Sequence, residues 1–118
     1  MNRVILIGFL GKDAEVKTTR QNAAFTVLSL ATSRRWKNRD TGEYQSQTTW
    51  HRCIVWGKLG NFAAGLTKGA HVQLEGEIRT RQYQPKADSG TGQKSITEVR
   101  VTSLTKLDRS KKPAEDAA

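Results

Sequence analysis

The chain has 118 residues, carries a formal net charge of +9 and is 36% hydrophobic. That length suits one domain with a modest core. Its longest apolar run, Val4–Leu10, is interrupted by Gly8 and falls far short of the roughly 20 residues that a membrane-spanning helix needs.

Where a secretory leader would place an apolar stretch of about 7–15 residues and then a small-residue cleavage site, Gly11, Lys12 and Asp13 follow instead, so a soluble cytoplasmic protein is expected. Within residues 108–118 the basic side chains Arg109, Lys111 and Lys112 balance Asp108, Glu115 and Asp116, so the positive excess belongs to residues 1–107. A domain this basic repels itself unless a polyanion offsets the charge. Nucleic acid is the leading partner, and no basic amphipathic helix supports a membrane surface in its place.

In chain order, Val4, Leu6 and Gly8 alternate with Ile5, Ile7 and Phe9. Both parities are apolar, which predicts a first strand covered on both sides. Residues 25–32 form a β-rich second strand. Asn38, Asp40 and Gly42 mark a hairpin loop over residues 37–45, and residues 47–56 form a third strand. The period then changes: Leu59, Phe62, Ala63 and Leu66 share one face of a short helix, with Gly69 suited to cap its C-terminus. Val72, Leu74, Gly76 and Ile78 alternate as a fourth strand. Residues 85–93 read as a second flexible loop, and residues 96–104 as a fifth strand. The charged segment 108–118, with Pro113, reads as a short disordered C-terminal tail.

Three strands, a short helix and two strands describe an all-β chain, an OB-fold: a five-stranded Greek-key barrel with its helix between strands three and four. Its usual ligands are oligonucleotides and oligosaccharides. Cys53 is the sole cysteine, so no intrachain disulfide forms; in an apolar strand pattern it reads as a buried thiol. His51 lies two strand residues away, about 6.6 Å, too far for a ready Cys–His pair.

Single strands expose base faces that stack on aromatic rings, and phosphates that need cations along a groove. Basic residues surround each tryptophan: Arg34, Arg35 and Lys37 around Trp36, Arg52 near Trp50, and Lys58 near Trp56. Alternation puts Trp50, Arg52, Ile54 and Trp56 on one face of the third strand. Arg79, Arg81 and Tyr83 share a face of the fourth, with Leu74 and Ile78 turned the other way. Core burial of Trp50 and Trp56 is the competing reading, and the repeated basic neighbours favour a ligand face. Trp36 sits at the mouth of a polar loop. Phe9, Phe25 and Phe62 read as core.

Several segments together resemble bacterial single-stranded DNA-binding proteins over residues 1–107. They are Asn2-Arg3-Val4-Ile5-Leu6-Ile7-Gly8, Leu10-Gly11-Lys12-Asp13, Leu30-Ala31-Thr32-Ser33 with Trp36, Thr41-Gly42-Glu43, Trp50-His51-Arg52, Trp56-Gly57-Lys58-Leu59, and Leu74 through Arg81. The resemblance implies DNA-stacking aromatics at Trp36, Trp50, Trp56 and Tyr83. Arg3, Arg34, Arg35, Arg52, Lys58, Arg79 and Arg81 are the candidate phosphate partners. It implies nucleoid-associated work in replication, recombination and repair, and a homo-oligomer, usually a tetramer. Val4 and Leu6 of the first strand, with His51, are then the candidate subunit contacts; His51 could equally be a satisfied structural residue.

Family members usually continue through a long linker to an acidic tip ending in an apolar pair, which recruits replication and repair proteins. Here Glu115 and Asp116 are followed only by Ala117 and Ala118, so recruitment through such a tip is not expected. Two other classes compete with a single-strand binder. One is an RNA-binding or primosome-type module on the same fold, since a fold does not fix a function. The other is a metal-dependent nuclease, which wants clustered carboxylates. Glu75 and Glu77 lie among basic residues and read as partners of Arg79 or Arg81, so no catalytic residue, metal ligand or cofactor is assigned.

Overall fold

The structure, a computed structural model, describes residues 1–83 and 94–108. The expected loop over residues 85–93 lies outside the described residues, as does the expected tail beyond Asp108. In chain order the elements are β1 (Val4–Leu10), β2 (Glu15–Thr18), β3 (Ala24–Lys37), β4 (Tyr44–Trp56), α1 (Gly57–Ala63), β5 (His71–Tyr83) and β6 (Lys94–Lys106). The sequence predicts five of these strands and the helix. It misses β2, a four-residue strip exposed at every position and therefore without alternation.

Hydrogen-bonded neighbours run β1–β5–β6–β4–β3, and β1 pairs again with β3 to close the ring. All pairings are antiparallel except β4 with β6, where Cys53 faces Val99 and Ile54 faces Arg100. This is the expected OB barrel, with α1 between β4 and β5. β2 adds a flap along β3, pairing Glu15–Val27 through Thr18–Ala24.

Closure requires β1 to touch two strands. It pairs with β5 from Val4–Gly76 to Phe9–His71. It meets β3 at Phe9–Ala31 and Leu10–Leu30. The approach to β3 is so close that a Cβ on Gly8 would collide with the carbonyl of Ala31. Inside the ring, Leu28, Leu30, Cys53, Val55, Val72 and Leu74 are wholly or almost wholly buried. Burial pushes the Cys53 thiol up to about 12, because a thiolate has no solvation there.

α1 covers one end of the core. Ala63 is buried, Leu59 packs against the core, and the buried Thr26 hydroxyl donates 2.8 Å to the carbonyl of Gly60. The helix stops at Ala63, so Leu66 reaches the core from the following turn. Gly69 is thus not its C-terminal cap. With φ +89° it forms the turn into β5, and its N–H donates to Leu10.

Beyond the ring two hairpins run on as arms. On β3 and β4, the segments 32–37 and 44–49 pair only with each other. The predicted loop shrinks to residues 38–43, where the Asn38 side chain accepts the N–H groups of Asp40 and Thr41. On the second arm, Ile78–Val99 through Tyr83–Lys94 continue β5 and β6 past β1. Three aromatic or apolar expectations change here. Phe9 and Phe62 are about half exposed rather than core, and Ile78 is 48% exposed because it lies beyond the barrel end.

Gly8→Val should stop β1 from seating on β3. Forced overpacking costs about 1–3 kcal/mol, and the obstacle here is backbone that no rotamer change can move. We expect a loss at or above that range and a melting temperature lower by about 10 °C or more. Thermal unfolding followed by far-UV circular dichroism checks this; an unchanged melting temperature would mean that closure does not depend on this approach.

Candidate nucleic-acid interface

β4 carries the centre of the site. Its inward residues Cys53 and Val55 are buried, which turns Trp50, Arg52, Ile54 and Trp56 to the outer face. Trp50 is 60% exposed and Trp56 38%, so neither is core. The Trp56 ring packs at 4.8 Å, tilted by 34°, on Phe25 across the β3–β4 ladder. The Trp50 ring lies over Gly11, where a Cβ would strike its Cη2.

An open groove of about 740 Å³ runs beside Trp56. Trp56 and Phe25 form an aromatic wall, while the buried Ile54 and Glu98 lie beneath. Arg20, Arg79, Arg81 and Arg100 line the same space. Arg20 comes from the β2–β3 turn, and the other three come from the outer face where β5 and β6 pair. With Thr18 of β2, the site is therefore assembled from five strands and a turn.

Glu98 organises its floor. It is 8% exposed. Arg52 Nε donates to it at 2.7 Å, and Arg81 donates at 3.1 Å from Nε and 3.2 Å from Nη2. Burial pushes this carboxyl upward, but hydrogen bonds from Arg81 and Arg52 and their charges together hold it below the usual range. Arg79 donates to Glu77 at 2.8 Å. Glu75, by contrast, pairs at 2.7 Å with Arg3. The expected pairing of both glutamates with Arg79 or Arg81 therefore holds only for Glu77.

The structure joins Trp56, Arg79 and Arg81 in one groove, with Arg52 tied to it through Glu98. Lys58 is exposed two residues after Trp56, on α1. Tyr83 ends β5 opposite Lys94. Trp36 stands apart. The β3–β4 register pairs Trp36 with Gln45 and Leu28 with Cys53, so alternation puts Trp36 and Arg34 on the arm's other face. The Arg34 guanidinium lies 5.6 Å from the Trp36 ring. The three tryptophans thus do not form one platform; Trp36 lies in β3, one residue before that strand runs into the loop.

His51 shares the inward parity with Leu30, its partner on β3, and its Nε2 lies 2.8 Å from Thr32 Oγ1. Desolvation lowers its pKa, favouring neutral imidazole. Val4 and Leu6 are partly buried against the core, leaving Ile5, Ile7 and Phe9 as the exposed apolar side of β1. Among the described residues no group of three or more His, Cys, Asp or Glu side chains is placed to hold a metal ion. No helix among them is long and apolar enough to cross a membrane.

Sequence reasoning missed Phe25, Arg20, Glu98 and Arg100. Alternation could have found the last two, since Glu98 and Arg100 interleave with the buried Val99 and Val101. Arg20 sits in a turn that carries no period, and only the folded β2 flap brings it to the groove.

The Glu98 clasp has a pH signature. Its folded pKa lies below the unfolded one, so its stabilisation is present above the unfolded value of about 4.3 and is lost as pH falls through the folded value. Glu98→Gln should destabilise the protein at pH 7, and the gap to wild type should close as pH drops below about 4. Urea unfolding over that range tests it; a gap independent of pH would show that the ion pairs contribute nothing.

Comparison with known proteins gives the same result along most of the chain. Residues 1–107 match the model of the single-strand binding protein family. The fold is similar to that of the Plasmodium falciparum SSB solved in complex with ssDNA. The TM-score is 0.77 at 30% identity, over 92% of this chain and 96% of that one. It is also similar to a deletion mutant of the single-stranded DNA binding protein from Thermus aquaticus. There the TM-score is 0.75 at 25% identity, over 92% of this chain and 51% of that one, so this chain spans about half of that relative. A closed OB barrel, an arginine-lined groove walled by Trp56, and a family match over residues 1–107 lead to one conclusion: the chain belongs to the single-strand binding protein family.

Proposed function

We infer that this protein binds single-stranded DNA without reading its sequence, covering it during replication, recombination and repair. The carrying observation is the groove beside Trp56, which sets two aromatic rings among four arginines. Exposed indoles offer stacking surface to unpaired bases, whose faces are hidden in a duplex. The arginines meet phosphates, and stacking tolerates any base because every base has a π-face. Family membership and the ssDNA bound to the Plasmodium falciparum SSB support the same reading.

In this reading residues 1–107 form the DNA-binding domain and perform no chemistry, acting in the cytoplasm on DNA. Trp50 and Trp56 are the principal stacking residues, and Trp36 and Tyr83 extend the site. Arg52 and Arg81 are held by Glu98 and present their remaining donors. Arg79, Lys58, Arg34 and Arg35 add positive charge, as does Arg3, which pairs with Glu75 of β5. The protein works as a homo-oligomer, most simply a tetramer. Ile5, Ile7 and Phe9 supply apolar surface on β1 suited to burial between copies; Val4 and Leu6 support that strand from within.

Trp56→Ala and Trp50→Ala should each weaken oligo-dT binding. Alanine substitution at such rings costs about 1–3 kcal/mol per stacked base, a range established on this class of protein itself. Quenching of tryptophan fluorescence during titration reads the effect. Unchanged affinity in both variants would remove stacking from the mechanism, and equal affinity for RNA of the same length would favour an RNA-binding role.

Affinity should also fall as salt rises. Single strands give about −0.7 in log–log slope per phosphate neutralised, so three or four contacts correspond to about −2 to −3. A flat response between low and moderate salt would leave the arginines of the groove without a role.

A further inference from the structure

We propose that Tyr44, with Arg35 above it, is a further stacking station for single-stranded DNA, placed on the outer face of the β3–β4 arm. The inference rests on the single-strand-binding function and extends that site along its own strand.

Three observations carry it. First, Tyr44, Trp50 and Trp56 are spaced six residues apart on one strand. The β3–β4 ladder runs without a shift from Phe25–Trp56 to Lys37–Tyr44, so equal parity keeps all three on the same face. Six residues of strand span about 20 Å. Second, Tyr44 is 63% exposed, more than either tryptophan of that face, and nothing in the core needs it. Third, the Arg35 guanidinium stands 4.8 Å from the Tyr44 ring centroid, on the neighbouring strand and the same face. A ring with a cation beside it matches the arrangement at Trp56: one part for a base, one for its phosphate.

The surface between stations suits a nucleic-acid strand. Ser46 and Thr48 separate Tyr44 from Trp50, with Ser33 beside them on β3. These side chains are short, and neither β3 nor β4 contains Asp or Glu. A strand leaving Trp50 therefore meets a low surface without repelling charge. Trp36 lies on the reverse face of the same arm, so it does not replace Tyr44 on this path.

The test compares Tyr44→Ala, Tyr44→Phe and Arg35→Ala with Trp50→Ala, using oligo-dT near the lower and upper ends of the roughly 4–16 nucleotides that one OB fold covers. Tyr44→Ala should bind the longer oligomer about tenfold less tightly, within the loss of about 1–3 kcal/mol per stacked base known for this class. Affinity for the shorter oligomer, which the groove beside Trp56 can hold alone, should stay unchanged. Tyr44→Phe should restore the long-oligomer affinity, because stacking needs the ring and not the hydroxyl. Arg35→Ala should reproduce part of the loss and lower the salt slope. The melting temperature and solution mass of Tyr44→Ala should match wild type.

Wild-type affinity of Tyr44→Ala at both lengths, with Trp50→Ala weakened, would overturn this inference and leave the binding function intact. A change in solution mass would assign Tyr44 to contact between copies and overturn it too. If Trp50→Ala and Trp56→Ala also bound normally, stacking would drop out of the parent mechanism, and this inference would fall with it.

Discussion

The double pairing of β1 is the constraint on which the other features depend. A sheet closes into a barrel only when one strand satisfies backbone partners on both edges. Here β1 lies against β5 for most of its length and meets β3 at Phe9 and Leu10. Gly8 permits the approach by presenting no side chain to Ala31. With the ring closed, the inward side chains of β3, β4, β5 and β6 make a sealed core. Much of the outer face is then free of core packing, and aromatic and charged residues can occupy it.

Closure also decides how charge is arranged. β6 runs parallel to β4 and antiparallel to β5, which sets Glu98 beneath both Arg52 and Arg81. A buried carboxylate alone would be costly; two guanidiniums with excellent geometry offset that cost. The glutamate limits how far the arginines can swing and subtracts one charge from a basic groove. The site therefore gives up some raw attraction for fixed donor positions. Among the described residues Arg20 and Arg100 have no such carboxylate anchor, so they supply charge without the same restraint.

Much of the fold could be read from alternation. β3, β4 and β5 each show an inward parity, and α1 announces itself by a change of period; β1 is apolar on both parities, and only the fold separates the inward Val4 and Leu6 from the exposed Ile5, Ile7 and Phe9. The outer-face positions of Trp50, Arg52 and Trp56 follow from the same rule. The misreadings have local causes. β2 carries no period because both its faces are wet. Phe62 fits a helical stripe, but α1 ends after Ala63, so the stripe breaks before Leu66. In β6 a bulge at Thr102 shifts the register against β5, so that Val101 and Leu104 can both turn toward the core despite opposite parity. The separation of Trp36 from the other indoles needed the exact pairing of β3 with β4, which composition does not contain. Glu98 was overlooked because acidic residues in a basic chain look like solvated partners, while its meaning lies in a neighbour on each side.

Sealing Cys53 inside the barrel has a chemical consequence for how copies of this protein can associate. The chain has no other cysteine, and this one is fully buried with its thiolate form strongly disfavoured. Thiol–disulfide exchange needs an accessible thiolate. Cys53 in the folded domain is therefore shielded from that exchange. Contact between folded copies of this chain cannot run through a disulfide of Cys53, and oxidants that cross-link or glutathionylate exposed thiols find no target in it.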